Sequence, residues 1–182
     1  MSGTAPITPV DGTPPEPPAP QSRGLVFPDD AFAEMIAAAY AAYPLEACGL
    51  LVGVPAGRHQ QGADTTVATV HRFVPCTNEA ASAKVYAIPG KELLRAERAA
   101  EDDGLEIVGV FHSHTHTEPY PSPTDVAQAA DPTWHYVIVS LKRESPEARC
   151  YLLPTPGPDG NDDHADARPY DVGIREVPIT VD

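Results

Sequence analysis

Apolar residues recur at helical spacing in two stretches of the chain. Within residues 29–43 an apolar residue falls at every third or fourth position, and Pro44 ends the pattern. A proline and two acidic residues at the start of this stretch are typical of a helix N-terminus. Residues 89–103 show a weaker version of the pattern and are followed by Gly104. The sequence therefore predicts two helices, of which the second lies on the surface.

Other stretches alternate between apolar and polar residues or are continuously apolar, as β-strands are. A short helix is predicted at residues 122–131, and the last two strands before residue 154 are expected to form a hairpin. Because helices and strands alternate irregularly, we expect a mixed α/β fold, a sandwich of one mixed β-sheet flanked by helices. The predicted strands cover residues 47–52, 65–74, 106–114, 134–141, 149–153 and 168–181.

The composition indicates which part of the chain folds. Residues 1–24 contain seven of the 22 prolines and few large apolar side chains, so we expect a disordered tail there. The length of 182 residues suits one domain, which we place at residues 25–182. The turn-rich segment near residues 154–166 predicts a mobile loop within that domain.

The charge balance excludes some classes of partner. The chain has 12 Lys and Arg residues against 26 Asp and Glu residues, which gives a net charge of −14. Such a surface repels nucleic acid and anionic membranes. The three cysteines Cys48, Cys76 and Cys150 are too few for a disulfide framework, and neither a signal peptide nor a membrane-spanning run is present in this sequence. We therefore expect a cytoplasmic protein, with its oligomeric state open and a dimer included.

Two histidines on one predicted strand carry the first chemical signal. His112 and His114 are two residues apart, so both point to one face with Cα atoms ~6.6 Å apart. Asp125 follows eleven positions after His114, in a segment whose Ser122-Pro123 resembles a helix start with a capping box. Two imidazoles and one carboxylate form the set that leaves a fourth zinc position open to water.

With Glu46 in the segment PLEACGLLVG, these residues resemble the signature of the JAMM (MPN+) metalloprotease family. The signature is a distant Glu, then H-x-H, then S-x-x-D with the serine eight and the aspartate eleven residues past the second histidine; both spacings match. The resemblance implies an MPN-type fold and Zn²⁺ held by His112, His114 and Asp125. It also implies that Glu46 acts as general base and then general acid, and that Ser122 donates to the developing oxyanion.

The loop after the histidines indicates a branch of the family. Thr115 stands where eukaryotic members commonly have proline. The motif HSHTxTExYPSxTD resembles the corresponding sequence of the stand-alone actinobacterial branch. That resemblance implies cleavage after the C-terminal Gly-Gly of a small ubiquitin-like sulfur-carrier protein, with release of cysteine. We expect an extended tail to add to a sheet edge beside the metal. Asn78 and Cys48 are candidate substrate contacts.

Two other functions stay open at this point. A non-catalytic MPN interaction module has the same fold without the metal ligands. The sequence H-x-H-x-x-x-E, which ends at Glu118, also begins the cupin metal motif, although the glycine expected seven residues later is Asp125 and a cupin is an all-β barrel. His116 we interpret as a solvated loop residue.

Overall fold

A computed structural model describes residues 22–58, 66–154 and 173–182. The predicted tail lies outside the described residues apart from its last three positions, and so does the predicted loop at 154–166 apart from residue 154. Within the described residues the strands are β1 (Leu25–Phe27), β2 (Cys48–Val54), β3 (Ala68–Cys76), β4 (Glu106–His114), β5 (His135–Ser140), β6 (Glu147–Leu152), β7 (Arg175–Val177) and β8 (Ile179–Val181), and the helices are α1 (Asp29–Ala42), α2 (Gly90–Asp102) and α3 (Pro123–Ala127).

All eight of these strands form one mixed sheet in the order β7-β6-β5-β4-β2-β3-β1-β8. Strands β4 and β5 are parallel, and β1 is parallel to both β3 and β8, whereas the remaining neighbours are antiparallel. Strands β7 and β8 stand at opposite ends of this order and are separated along the chain only by Pro178. Because a single residue links them, the two ends of the sheet meet at Pro178, whose carbonyl accepts the Leu25 N–H at 3.0 Å.

Each face of the sheet is covered by one of the long helices. Helix α1 buries Ala31, Met35 and Ala39 against the face that carries Phe111, and α2 buries Ala96 against the opposite face. The two cores exist because side chains alternate along a strand and both faces of the central strands are apolar. Burying a large apolar side chain in such a core stabilises the fold by roughly 1.5–3 kcal/mol.

The predicted mixed α/β fold is confirmed, and the strand at residues 106–114 and the hairpin have the predicted places. Helix α3 is shorter than predicted, because it ends at Ala127 rather than near residue 131. Strand β1 was not predicted. The predicted closing strand is interrupted at Pro178, which has no N–H to donate to a ladder, and its residues 168–172 lie outside the described residues.

No helix in the described part of the chain has the length and apolar character needed to cross a membrane.

Candidate metal centre and active site

The two histidines lie in the middle of the sheet. Strand β4 pairs with β2 on one side and with β5 on the other, and His112 stands opposite Cys48 and Ile138. His112 is fully buried and His114 is 5% exposed. Because β4 is paired on both sides at His112, a substrate strand cannot add to β4 there, and the expected addition of a tail to a sheet edge beside the metal stays a prediction.

Three side chains converge where β4 meets α3. His112 Nε2 and His114 Nε2 are 3.1 Å apart, and Asp125 brings Oδ1 to 3.4 Å from the first nitrogen and Oδ2 to 3.6 Å from the second. Ligand atoms 2.0–2.1 Å from a tetrahedral ion lie about 3.3–3.4 Å from one another. These separations therefore fit the edges of a tetrahedral site, and among the described residues this group could hold a metal ion.

The start of α3 fixes the carboxylate of Asp125. The Ser122 N–H donates to Asp125 Oδ2 at 2.6 Å, and the Asp125 N–H donates to Ser122 Oγ at 3.2 Å, which completes a capping box. This reciprocal pair holds both side chains at a helix terminus. The Ser122 hydroxyl oxygen accepts in this arrangement, so the capping bond itself does not use the hydroxyl proton.

The other ring nitrogens determine which way each imidazole presents its lone pair. His114 Nδ1 lies 2.8 Å from the Glu118 carbonyl, which can only accept, so Nδ1 carries the proton and Nε2 is left as a ligand. His112 differs, because its Nδ1 is buried and has no hydrogen-bond partner among the described residues. The ring of Tyr86 stacks on the His112 ring, with centroids 4.5 Å apart. Sequence reasoning missed Tyr86, since no spacing relates it to the histidines.

Burial and hydrogen bonding set the protonation of these ligands. Burial alone would raise the pKa of Asp125, but hydrogen bonds with His112, His114 and Ser122 outweigh it and hold that pKa well below its usual range. Burial lowers the pKa of His112, although Asp125 opposes the effect. The ionised carboxylate and the neutral His112 are the forms that bind a metal. For His114, hydrogen bonds with Asp125 and the Glu118 carbonyl outweigh burial and raise the pKa, so a metal ion competes with a proton at that ring.

Glu46 immediately precedes β2 and is 4% exposed. Its neighbour Ala47 donates its N–H to Ser113 Oγ at 2.8 Å and accepts the Ser113 N–H at 3.0 Å, which ties Glu46 to the histidine strand. Burial raises the pKa of Glu46 to about 7, while His114 lowers it and Asp125 raises it. Glu46 is therefore a neighbour of the ligand group and can exchange a proton near neutral pH.

The two candidate substrate contacts have structural partners. Asn78 Nδ2 donates to the carbonyls of Glu46 and Val85, at 3.0 and 3.1 Å. The buried Cys48 thiol lies 3.7 Å from the Cys76 carbonyl, and burial raises the pKa of Cys48 to about 12, so it stays protonated. Both residues line a cavity of about 380 Å³ that also includes Leu45, Glu46, Pro75 and Ala81. The cavity reaches Glu46, but His112, His114 and Asp125 are not among its lining residues.

Glu118, which would end the cupin motif, and His116 both lie outside the group of candidate ligands. The Glu118 carboxylate is exposed and pairs with Lys142 and Arg143, at 2.8 and 3.1 Å. His116 is exposed and follows the end of β4, in agreement with its interpretation as a loop residue. A mixed sheet flanked by helices is not an all-β barrel, so the cupin alternative is wrong on the fold.

Residues 28–153 match the family described as prokaryotic homologs of the JAB domain, and the chain belongs to this family. Its relatives of known activity are peptidases of the JAMM type, so the protein is a metallopeptidase of that class, for which the family implies zinc.

Individual relatives and one solved structure are consistent with this family assignment. The CysO-cysteine peptidase of Mycobacterium tuberculosis is 40% identical over 118 residues, which are 65% of this chain and 74% of that protein. The desampylase of Haloferax volcanii is 35% identical over 98 residues, 53% of this chain and 63% of that protein. A solution structure from Desulfitobacterium hafniense superposes with a TM-score of 0.68 at 28% identity, covering 87% of this chain and 92% of that one.

Proposed function

We propose that this protein is a zinc-dependent hydrolase that cleaves after the C-terminal Gly-Gly of a small ubiquitin-like sulfur-carrier protein and releases cysteine. The convergence of His112, His114 and Asp125 next to Glu46 is the observation that carries the proposal. A non-catalytic module has no use for three buried ligands together with a buried carboxyl whose pKa is near 7. The complete set therefore favours the enzyme over the silent module.

His112, His114 and Asp125 would hold the zinc ion, with Nε2 as the ligand atom of each histidine. A bound zinc ion polarises a carbonyl and lowers the pKa of a water from 15.7 towards ~7. The capping box at α3 and the Glu118 carbonyl hold two of the three ligands in place, so the ligand positions exist before an ion arrives. Such prior orientation of ligands supports metal affinity.

Glu46 is the proton carrier of the proposed reaction. It accepts a proton from the attacking water, whose oxygen forms a bond to the Gly carbonyl carbon. It then gives the proton to the amide nitrogen, the C–N bond breaks, and the products are a carrier with a free C-terminal carboxyl group and a free amine. A carboxyl group whose pKa is about 7 suits both transfers, since neither protonation state is strongly favoured near neutral pH.

Ser122 supports the developing negative charge on the carbonyl oxygen. The capping bond does not use its hydroxyl proton, and the hydroxyl oxygen is fixed by the N–H of Asp125. A donor held in this way does not need to reorganise as the charge forms, and removal of comparable donors costs ~10²–10³-fold in kcat.

Several features support a carrier with a Gly-Gly end. Without a Cβ, two glycines can bring the scissile carbonyl close to a buried site. The net charge of −14 favours a carrier with a basic face, and association should slow as salt rises. The relatives named CysO-cysteine peptidase and desampylase support a substrate of this class.

The test combines metal analysis with cleavage. Purified protein should contain about one zinc per chain, as expected for a single three-ligand site. It should shorten a carrier–cysteine adduct by the mass of one cysteine residue, whereas the Glu46→Gln protein should not. Zinc-loaded protein that cleaves only a carrier with a longer C-terminal extension would contradict cysteine release. Cleavage of neither substrate would contradict the carrier class.

A further inference from the structure

The loop between β3 and α2, residues 77–89, lies over one of the metal ligands. Tyr86 in this loop stacks on His112 with ring centroids 4.5 Å apart and ring planes inclined by 19°. His112 is fully buried, yet its Nδ1 has no hydrogen-bond partner in the described part of the chain. The imidazole is thus held across its face by a ring contact, while its Nδ1 edge has no hydrogen-bond partner there.

A metal-binding histidine almost always donates its second N–H to a carboxylate, a backbone carbonyl or water, which fixes the orientation of the ring. His114 follows this rule through the carbonyl of Glu118, at 2.8 Å. His112 does not, so a different contact must keep its Nε2 within 3.1 Å of His114 and 3.4 Å of Asp125.

We propose that Tyr86 is the positioning residue for His112, and that stacking takes the place of the missing hydrogen bond at Nδ1. The inference rests on the proposed function, because it takes His112 as a metal ligand. The phenol oxygen has no part in it, so phenylalanine would serve as well as tyrosine at this position.

For Tyr86 to position a ligand, its own backbone must be fixed, and Asn78 does this. Besides its bonds to the carbonyls of Glu46 and Val85, Asn78 accepts the N–H of Ala87 at 3.1 Å through Oδ1. The two residues that flank Tyr86 are therefore both bonded to one side chain. In this proposal Asn78 acts through the loop and not on the substrate.

Two more hydrogen bonds join this loop to the site. The Glu46 N–H donates to the Ser82 carbonyl at 2.9 Å, and the Thr115 hydroxyl donates to the Ala83 carbonyl at 3.4 Å. Thr115 is the residue at which the sequence departs from the commonest family pattern, and a proline has no hydroxyl to donate here. The loop, the catalytic base and the histidine strand are thus linked.

A matched control is available in the same region. Tyr86 lines a cavity of about 270 Å³ together with Ile88, Leu93 and Trp134, and both Tyr86 and Trp134 pack against the core on the α2 face. Trp134 makes no recorded ring contact with His112. Replacing Trp134 with leucine removes a comparable aromatic side chain and leaves the imidazole stacked.

The experiment compares zinc affinity, by competition with a chelator, in wild type, Tyr86→Phe, Tyr86→Leu and Trp134→Leu. We expect Tyr86→Leu to bind zinc ~10–100-fold more weakly, the usual effect of losing a group that orients a ligand. Tyr86→Phe and Trp134→Leu should keep the wild-type affinity. A second readout is the proton NMR shift of the His112 ring in zinc-free protein, which stacking moves upfield in wild type and Tyr86→Phe but not in Tyr86→Leu.

Wild-type affinity in Tyr86→Leu, or an equal loss in Trp134→Leu, would overturn the assignment of Tyr86 and leave the proposed function standing. A wild-type protein that binds no zinc would refute the proposed function itself. Should Tyr86→Leu not fold, Asn78→Ala tests the same idea by releasing the loop. It should weaken zinc binding and reduce the upfield shift, and unchanged affinity with a lost shift would contradict the proposal.

Discussion

His112 and His135 lie on neighbouring central strands and are almost equally buried. They are 0% and 2% exposed, burial lowers the pKa of each, and each has one ring nitrogen without a hydrogen-bond partner among the described residues. Their surroundings differ. His112 meets a second imidazole and a carboxylate, whereas His135 Nδ1 lies 3.0 Å from the Val108 carbonyl on the face that carries α1.

The comparison shows which property marks a candidate metal-binding histidine. Burial and a lowered pKa occur in both residues, so neither distinguishes a ligand from a core residue. Convergence does, because three side chains that point their lone pairs at one point repel one another unless a cation or a proton lies between them. Asp125 pairs with His112, whereas no acidic side chain in the described part of the chain pairs with His135.

The largest expected difference comes from removing each histidine. His112→Ala should reduce zinc from about one per chain to background, because two ligands remain where the open tetrahedral site needs three. His135→Ala should keep its zinc even if it is less stable. Metal analysis of both folded variants measures this, with circular dichroism to show that each is folded. Zinc loss in His135→Ala alone would reverse the comparison.

Replacement of the base separates binding of the metal from chemistry. Glu46→Gln should retain zinc and lose ~10²–10⁴-fold in kcat, because an amide cannot accept the proton. Zinc content measures metal binding, and single-turnover cleavage of the carrier adduct measures the rate of the chemical step. If the variant loses its zinc, Glu46 is a ligand, and the convergent group has four members instead of three.

Ser122→Ala should lower kcat by ~10²–10³-fold through loss of the oxyanion donor. It should also destabilise the protein by about 0.5–2 kcal/mol, since the hydroxyl caps α3. Thr124→Ala, in the same turn but outside the capping box, is the matched control. A loss of stability without a loss of kcat would restrict Ser122 to capping.

The smallest effect concerns stability at acid pH. His135 stays neutral in the folded protein because burial lowers its pKa, whereas an unfolded histidine binds a proton below about pH 6.5. Folded stability should therefore fall as pH drops below 6.5, by at most ~1.4 kcal/mol per pH unit for one proton. His135→Asn should flatten this decline in urea unfolding with EDTA present. An equal slope in both proteins would contradict the neutral His135.

Local patterns in the sequence were enough to predict the parts that depend on spacing. His112 and His114 share a face because strands alternate, and Asp125 reaches them because Ser122 and Pro123 begin a helix at a fixed distance. In both cases the physics operates over a few residues. The roles of Glu46 and Ser122 came from the family resemblance and remain proposals.

The contacts that the sequence did not predict join residues far apart in the chain. Tyr86 stacks on a residue 26 positions later, and the Ala47–Ser113 bonds span 66 positions. Strand β1 has only three residues, too few for an alternating pattern, and it pairs with β3 and β8. The periodicity of apolar residues cannot predict such partners, because they depend on how the whole sheet is assembled.

The position of Pro178 between β7 and β8 has a consequence for biosynthesis. Strand β7 covers an edge of β6 and β8 covers an edge of β1, and both covering strands are synthesised after the other strands among the described residues. Until then a nascent chain displays two unpaired backbone edges, one on β6 and one on β1. Exposed edges of this kind promote association with other chains. We therefore expect the sheet to be completed late in folding, when β7 and β8 cover these two edges.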